Sequence, residues 1–171
     1  MCIVVDACTF ASVFKEHSKD HSSFRPVLIW IIKGKGKLVY GGTTYKNELR
    51  QAHTYLKLFT QLDKAGKIKQ IDDIKVDNFQ KEIETNVGSP INDVHLIAII
   101  GISGCRLICT IDKKAINPYL KCSDLYPPGV HRPKIFTGNK NNDRLLCDSN
   151  IAPVCNPVNK GSRELCELFG V

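Results

Sequence analysis

Arg106-Leu107-Ile108-Cys109-Thr110-Ile111-Asp112 is a short apolar run that ends on an acid. A run of this length, rich in branched side chains, reads as a buried strand of a parallel sheet. Near the start, Cys2-Ile3-Val4-Val5-Asp6 follows the same plan. In open α/β sheets the ligand crevice lies beyond the carboxyl ends of the strands. Two carboxylates at two such ends therefore face one crevice. Left bare there they would repel each other and resist ionisation, so a cation is the natural third party.

The segments around these two runs alternate between helix and strand. A helix is expected from near Thr9, and a very apolar one opens at Arg25-Pro26, since Pro suits a first helical turn. Leu38-Val39-Tyr40 reads as the second strand, stopped by Gly41-Gly42. From Thr44 to about Lys64, Tyr45, Leu49, Ala52, Leu56 and Phe59 fall on one face of a long helix. Glu48 lies within that stripe. Ile68 to Ile71 reads as a short strand and Val76 to Thr85 as a polar helix. Ser89-Pro90 would cap a helix from Ile91 to about Ser103, apolar nearly all round, with Asp93 as the acid of its first turn. Such alternation predicts an α/β fold, a three-layer α/β/α sandwich around a mostly parallel sheet. Residues 1–117 make the core. Residues 118–171, punctuated by Pro, form an extension with enough apolar content to pack on the same domain; Lys134-Ile135-Phe136 would add an edge strand.

Composition narrows the function classes. The chain has 171 residues, enough for one sizeable core, and 43% of them are hydrophobic, which excludes a disordered chain. Net charge is +7, from 24 Lys and Arg against 17 Asp and Glu, a pointer toward a polyanionic partner. Eight cysteines without a CxxC pair argue against a zinc site, and Cys2, Cys8, Cys105 and Cys109 lie in apolar runs where Cys packs as a small hydrophobe. Asp6 interrupts the apolar start, so it does not read as a signal peptide, and Gly101, Gly104 and Arg106 divide Leu96–Ile111, so no membrane span is expected. The expectation is a reduced, cytoplasmic protein.

Each acid alone has a plain structural reading. Asp6 could cap a helix, Glu48 could be a solvated helix residue, Asp93 could complement a helix dipole, and Asp112 could cap a turn. Their joint placement at strand ends and first turns is what suggests a shared site. An all-oxygen set suits Mg2+ or Mn2+, and such ions support in-line attack on a phosphodiester. Lys113 and Lys114 adjoin Asp112 and are the first candidates for phosphate contacts, ahead of Lys33, Lys35, Lys37, His131, Arg132 and Lys134.

In order along the chain, Ile3-Val4-Val5-Asp6, Tyr45-Lys46-Asn47-Glu48-Leu49, Asn92-Asp93-Val94-His95 and Cys109-Thr110-Ile111-Asp112 resemble the motifs of the PIN-domain nucleases. The resemblance covers about residues 1–115. It implies a PIN-like fold and a metal-dependent endoribonuclease, a hydrolase often serving as the toxin of a toxin–antitoxin pair. Asp6, Glu48, Asp93 and Asp112 would be its catalytic and Mg2+- or Mn2+-binding residues, and the Thr110 hydroxyl would help to hold the ion or its water. RNA is then the substrate, and an antitoxin protein or a second copy of the chain are the protein partners to test for. The alternative is a catalytically inactive PIN-like module that binds RNA or a protein. Lys113-Lys114 after Asp112 and Cys8 after Asp6 depart from the usual pattern, and the extension is longer than a usual family terminus. Rival patterns fail. A second acid two residues after Asp6 is missing for a haloacid-dehalogenase-type phosphatase, Gly34–Lys37 lacks P-loop spacing, and His17 and His21 lack the zincin glutamate. Cys8, without an evident partner His, reads as a buried thiol and not as a nucleophile.

Overall fold

The branched runs form the strands, and all of them run the same way. The fold comes from a computed structural model that describes residues 2–87, 92–112, 118–138, 143–150, 152–156 and 162–170. In chain order the elements are β1 (Cys2–Val5), α1 (Phe10–Phe14), α2 (His21–Ile32), β2 (Lys37–Tyr40), α3 (Thr43–Gln51), α4 (Leu56–Lys64), β3 (Ile68–Gln70), α5 (Asp73–Val87), α6 (Val94–Ser103), β4 (Leu107–Cys109), α7 (Pro118–Lys121), β5 (Lys134–Phe136) and α8 (Arg163–Leu168). The five strands make one sheet in the order β3-β2-β1-β4-β5, every pair parallel. The chain is thus an α/β protein with an all-parallel sheet.

This order reverses direction between β1 and β4, and that is the topological switch point where such sheets open a crevice. Val5 sits opposite Cys109 in the register, and the Asp6 N–H donates to the Cys109 carbonyl at 2.9 Å. The two acid-ended runs are therefore neighbours.

Three helices differ from the sequence expectation, each for a local reason. Helix α2 begins at His21, so Pro26 lies inside it. The ring removes one N–H from the ladder, but the preceding turn is tied down elsewhere. His21 Nδ1 meets the Ser12 carbonyl at 3.1 Å, and Phe24 packs edge-on to Phe136. The long helix expected over 44–64 breaks at Ala52, whose ψ of 47° leaves the helical region. A 3-10 turn at His53–Tyr55 follows, and the buried face rotates: Leu56 is exposed while Leu58 and Leu62 are buried. Helix α6 starts at Val94, not in the segment 88–91, which lies outside the described residues along with the expected Ser89-Pro90 cap.

Helix α6 is buried along nearly its whole length, against α5 and the strands β1 and β2. Gly101 allows the close approach of α5: a Cβ there would sit 2.3 Å from Phe79 Cε1. Gly104 ends the helix at a φ of 64°, returning its N–H to the Ile100 carbonyl. With 10 residues α6 spans about 15 Å. No helix among the described residues is long and apolar enough to cross a membrane.

The segment after residue 117 supplies β5, and Leu120, Tyr126, Phe136, Ala152, Cys155 and Leu165 enter the same core as β1 and α6. Cys2 and Cys155 are joined in a disulfide, their Cα atoms 6.2 Å apart and 153 residues distant in sequence. This corrects the expectation of a wholly reduced chain: two cysteines this far apart carry no pairing signal in sequence, and only the packing of β1 on the 3-10 turn Pro153–Cys155 brings them together.

Candidate functional site

Asp6 closes β1 and caps the 3-10 turn Ala7–Thr9. Its Oδ1 accepts the Cys8 N–H at 3.1 Å, and its Oδ2 accepts the Thr110 hydroxyl at 2.7 Å. Thr110 is fully buried and also accepts the Asp112 N–H at 3.0 Å. One hydroxyl therefore ties the carboxylate after β1 to the backbone after β4. Thr9 adds a second tie, its Oγ1 accepting the Ile111 N–H at 3.1 Å. The plain capping reading of Asp6 is correct as far as it goes, yet the same carboxylate also crosses the switch point.

Glu48 comes from α3, whose start is fixed by acids from α5. The Gly42 N–H donates to Asp73 Oδ1 at 2.9 Å, and the Thr43 N–H to Asp77 Oδ1 at 2.7 Å. Lys46 pairs with the other oxygen of Asp73. Burial alone would raise the Asp73 pKa, but Lys46 and the Gly42 N–H outweigh it and hold the carboxyl below the ordinary range. One turn further along, Glu48 Oε2 lies 3.3 Å from Nε2 of the buried His95 on α6. The pair is within ion-pair reach but not aligned for a hydrogen bond, and that nitrogen has none among the described residues.

Asp93 precedes α6 and does not occupy its first turn, a correction to the sequence reading. It adopts the left-handed conformation, φ 60° and ψ 29°, and is the non-glycine residue with positive φ among those described. Its side chain makes no capping hydrogen bond, so the helix does not employ the carboxylate in that way. Left-handed backbone costs a non-glycine residue roughly 1 kcal/mol, and such strain collects at functional sites. The Asp93 carboxyl is held above the ordinary range, first by burial, then by the charge of Asp6, with Asp112 and Glu48 adding to it and His95 pulling the other way.

That pattern brings the four acids into one electrostatic region. It does not make them a coordination shell: among the described residues no three His, Cys, Asp or Glu side chains stand close enough together to hold a metal ion as placed. The donors are all carboxylate oxygens, which suits a hard cation in chemistry. Their spacing is wider than a bound ion would set.

Two contributors carry no role in the sequence reading. Tyr45 is fully buried, donates its hydroxyl to the Val5 carbonyl at 2.6 Å, and packs against the His95 ring at 6.3 Å. It steadies the strand end just before Asp6. His95 is the other, and its signal was present: one ionisable side chain inside an otherwise apolar helix, two residues after Asp93. Cys8 is exposed, a correction to the buried thiol expected from sequence; its thiol is pushed up to about 11, by desolvation first and by Asp6 second, which disfavours the thiolate a nucleophile needs. Lys113 and Lys114 lie outside the described residues. Lys37, counted among the basic candidates, is largely buried in β2, and its pKa is lowered, by burial first and by Lys69 second.

The Asp93 shift has a consequence for stability. A carboxyl raised in the folded state favours folding when protonated, and that contribution is lost as pH rises from the unfolded value, about 3.9, through the folded one. Asp93→Asn removes the charge, so the variant should melt above the parent near neutral pH. The gap should close below about pH 4, where both side chains are neutral. Melting curves from about pH 3 to 7 read this directly, and a gap that does not change with pH would contradict the assignment.

No family model, curated protein or solved structure matches the chain.

Proposed function

We propose that this chain is a PIN-like, metal-dependent endoribonuclease, with Asp6, Glu48, Asp93 and Asp112 around one crevice at the switch point. The observation that carries the reading is Asp93: a strained, non-capping acid whose carboxyl responds to the charges of the other three. The sheet order supports the three-layer part of the proposal. The crossovers β1 to β2 to β3 step one way and the return from β3 to β4 steps the other. Right-handed crossovers then assign their helices to opposite faces.

Within this reading the four carboxylates would hold Mg2+ or Mn2+, which when bound supplies an activated water and shields phosphate charge. The chain's own residues set the stage for that. Thr110 orients Asp6 through its hydroxyl, His95 faces Glu48, and Tyr45 fixes the end of β1. The carboxylates would have to close in to reach an ion. The net charge of +7 favours a phosphate polymer as substrate, with Lys113 and Lys114 as the first contacts to test. An antitoxin protein or a second copy of the chain would be the protein partner in a toxin role.

A second reading has its own support. The absence, among the described residues, of three acids at coordinating distance favours a non-catalytic PIN-like module that binds RNA or a protein. One experiment separates the two. RNA cleavage and thermal melting are measured together with manganese, with magnesium and with chelator. The nuclease reading expects cleavage only with metal, and a rise in melting temperature, because the ion binds only the folded set of acids. RNA binding without cleavage, and no shift at millimolar metal, would select the module.

A further inference from the structure

Away from the four acids, α1, α2, α4 and the turn after α8 line an open cavity of about 710 Å³. That volume is in the range of a small-molecule site. Its floor is apolar: Phe14, Leu28 and Leu58 are buried, and Tyr55 and Phe169 are half-buried. Its rim is cationic. Lys15, Arg25 and Lys57 are exposed there, together with His17, and Glu16 is the one acid among the described residues of the lining. Among the described residues none of these cations is paired with a carboxylate. The buried His21 also lines the cavity, with Nδ1 at 3.1 Å from the Ser12 carbonyl.

We propose that this cavity is a binding site for a small organic anion, an apolar body carrying one carboxylate, sulfonate or phosphate head. The physical argument has two parts. An apolar floor with aromatic walls gains by removing hydrocarbon or ring surface from water, at about 25 cal/mol per Å². Three exposed cations and a histidine against a single acid make the mouth attractive to one negative charge and hostile to a positive one. Neither part alone picks the ligand: a purely apolar molecule leaves the cations unanswered, and a bare inorganic anion leaves the floor empty. Arg25 can grip a flat anionic head through two N–H groups, which Lys15 and Lys57 supplement as point charges. The site shares no lining residue with Asp6, Glu48, Asp93 or Asp112, so it does not depend on the nuclease reading.

The test uses two fluorescent probes of nearly the same body, 8-anilinonaphthalene-1-sulfonate and the uncharged N-phenyl-1-naphthylamine, titrated into the intact folded chain. The sulfonate should bind saturably at one site and at least about tenfold tighter than the neutral probe, a difference of about 1.4 kcal/mol. Arg25→Glu and Lys57→Glu alter exposed positions and should each weaken the sulfonate at least tenfold, with little change for the neutral probe. Thr54→Trp, which places an indole at the lining, should weaken both. Decanoate or phenyl phosphate should displace the sulfonate. Circular-dichroism melts confirm that each variant folds. Equal affinity for the two probes, or sulfonate binding indifferent to the charge reversals, would overturn the proposal. Displacement by a short oligonucleotide but not by decanoate or phenyl phosphate would overturn it too, in favour of strand binding.

Discussion

Asp93→Asn is expected to lower RNA cleavage by at least about a hundredfold, roughly 2.7 kcal/mol of transition-state stabilisation, while the protein folds at least as well as its parent. The two halves of that expectation come from one observation. Asp93 is held in strained backbone by its surroundings and makes no capping bond, so the amide should disturb little. Asn also tolerates the left-handed conformation. Removing the charge relieves repulsion from Asp6, Asp112 and Glu48 and weakens the attraction of the set for a cation. Asp6→Asn should lose cleavage to a similar degree but also some stability, because its carboxylate accepts both the Cys8 N–H and the Thr110 hydroxyl. Cleavage by both variants at the parent's rate, in matched metal and on one RNA pool, would refute the site. Binding of uncleaved RNA should survive in both, since the surrounding Lys and Arg are unchanged.

The second large effect is expected from the disulfide. Reducing the Cys2–Cys155 bond, or replacing both residues by Ala, should cost about 5 kcal/mol, because the bond links residues 153 apart and strips conformational freedom from the unfolded chain. For a chain of this size that corresponds to a fall in melting temperature of roughly 10 °C. Thermal melts with and without a phosphine reductant measure it, alongside a thiol count on the denatured, unreduced protein. If the melts coincide and eight free thiols are found, the bond is absent in solution.

How much of this could be read from sequence depends on where each signal resides. The strands were legible because β1, β2 and β4 are short branched runs whose burial is written in their composition. The acids that end two of them pointed to a shared crevice, but the strand order that makes it a switch point is not written in the letters. Helix breaks were harder. Ala52 looks like any apolar position in a helical stripe, and the rotation that exposes Leu56 and buries Leu62 is decided by packing beyond the break. Pro26 gave a misleading start, since its usual place in a first turn was overridden by the tertiary contacts of His21 and Phe24. Asp93 stands out in the letters as a candidate, but its position does not, because a left-handed Asp and a first-turn Asp look alike there. The separation of the carboxylates and the pairing of Glu48 with His95 are matters of side-chain direction, which spacing along a chain does not encode.

The disulfide also divides the chain by connectivity. Everything from β1 through β5 lies inside the covalent loop between Cys2 and Cys155, and α8 lies outside it. A single protease cut inside the loop leaves both pieces on one covalent frame, so a nicked molecule still migrates as one band until a reductant is added. A single cut beyond Cys155 is different in kind. It can release α8 with Leu168 and Phe169, which wall the 710 Å³ cavity, without touching any of the four acids. Proteolysis therefore reaches the two ends of this molecule under different rules: nicks around the acids remain hidden in the unreduced protein, whereas loss of the cavity wall is a true truncation.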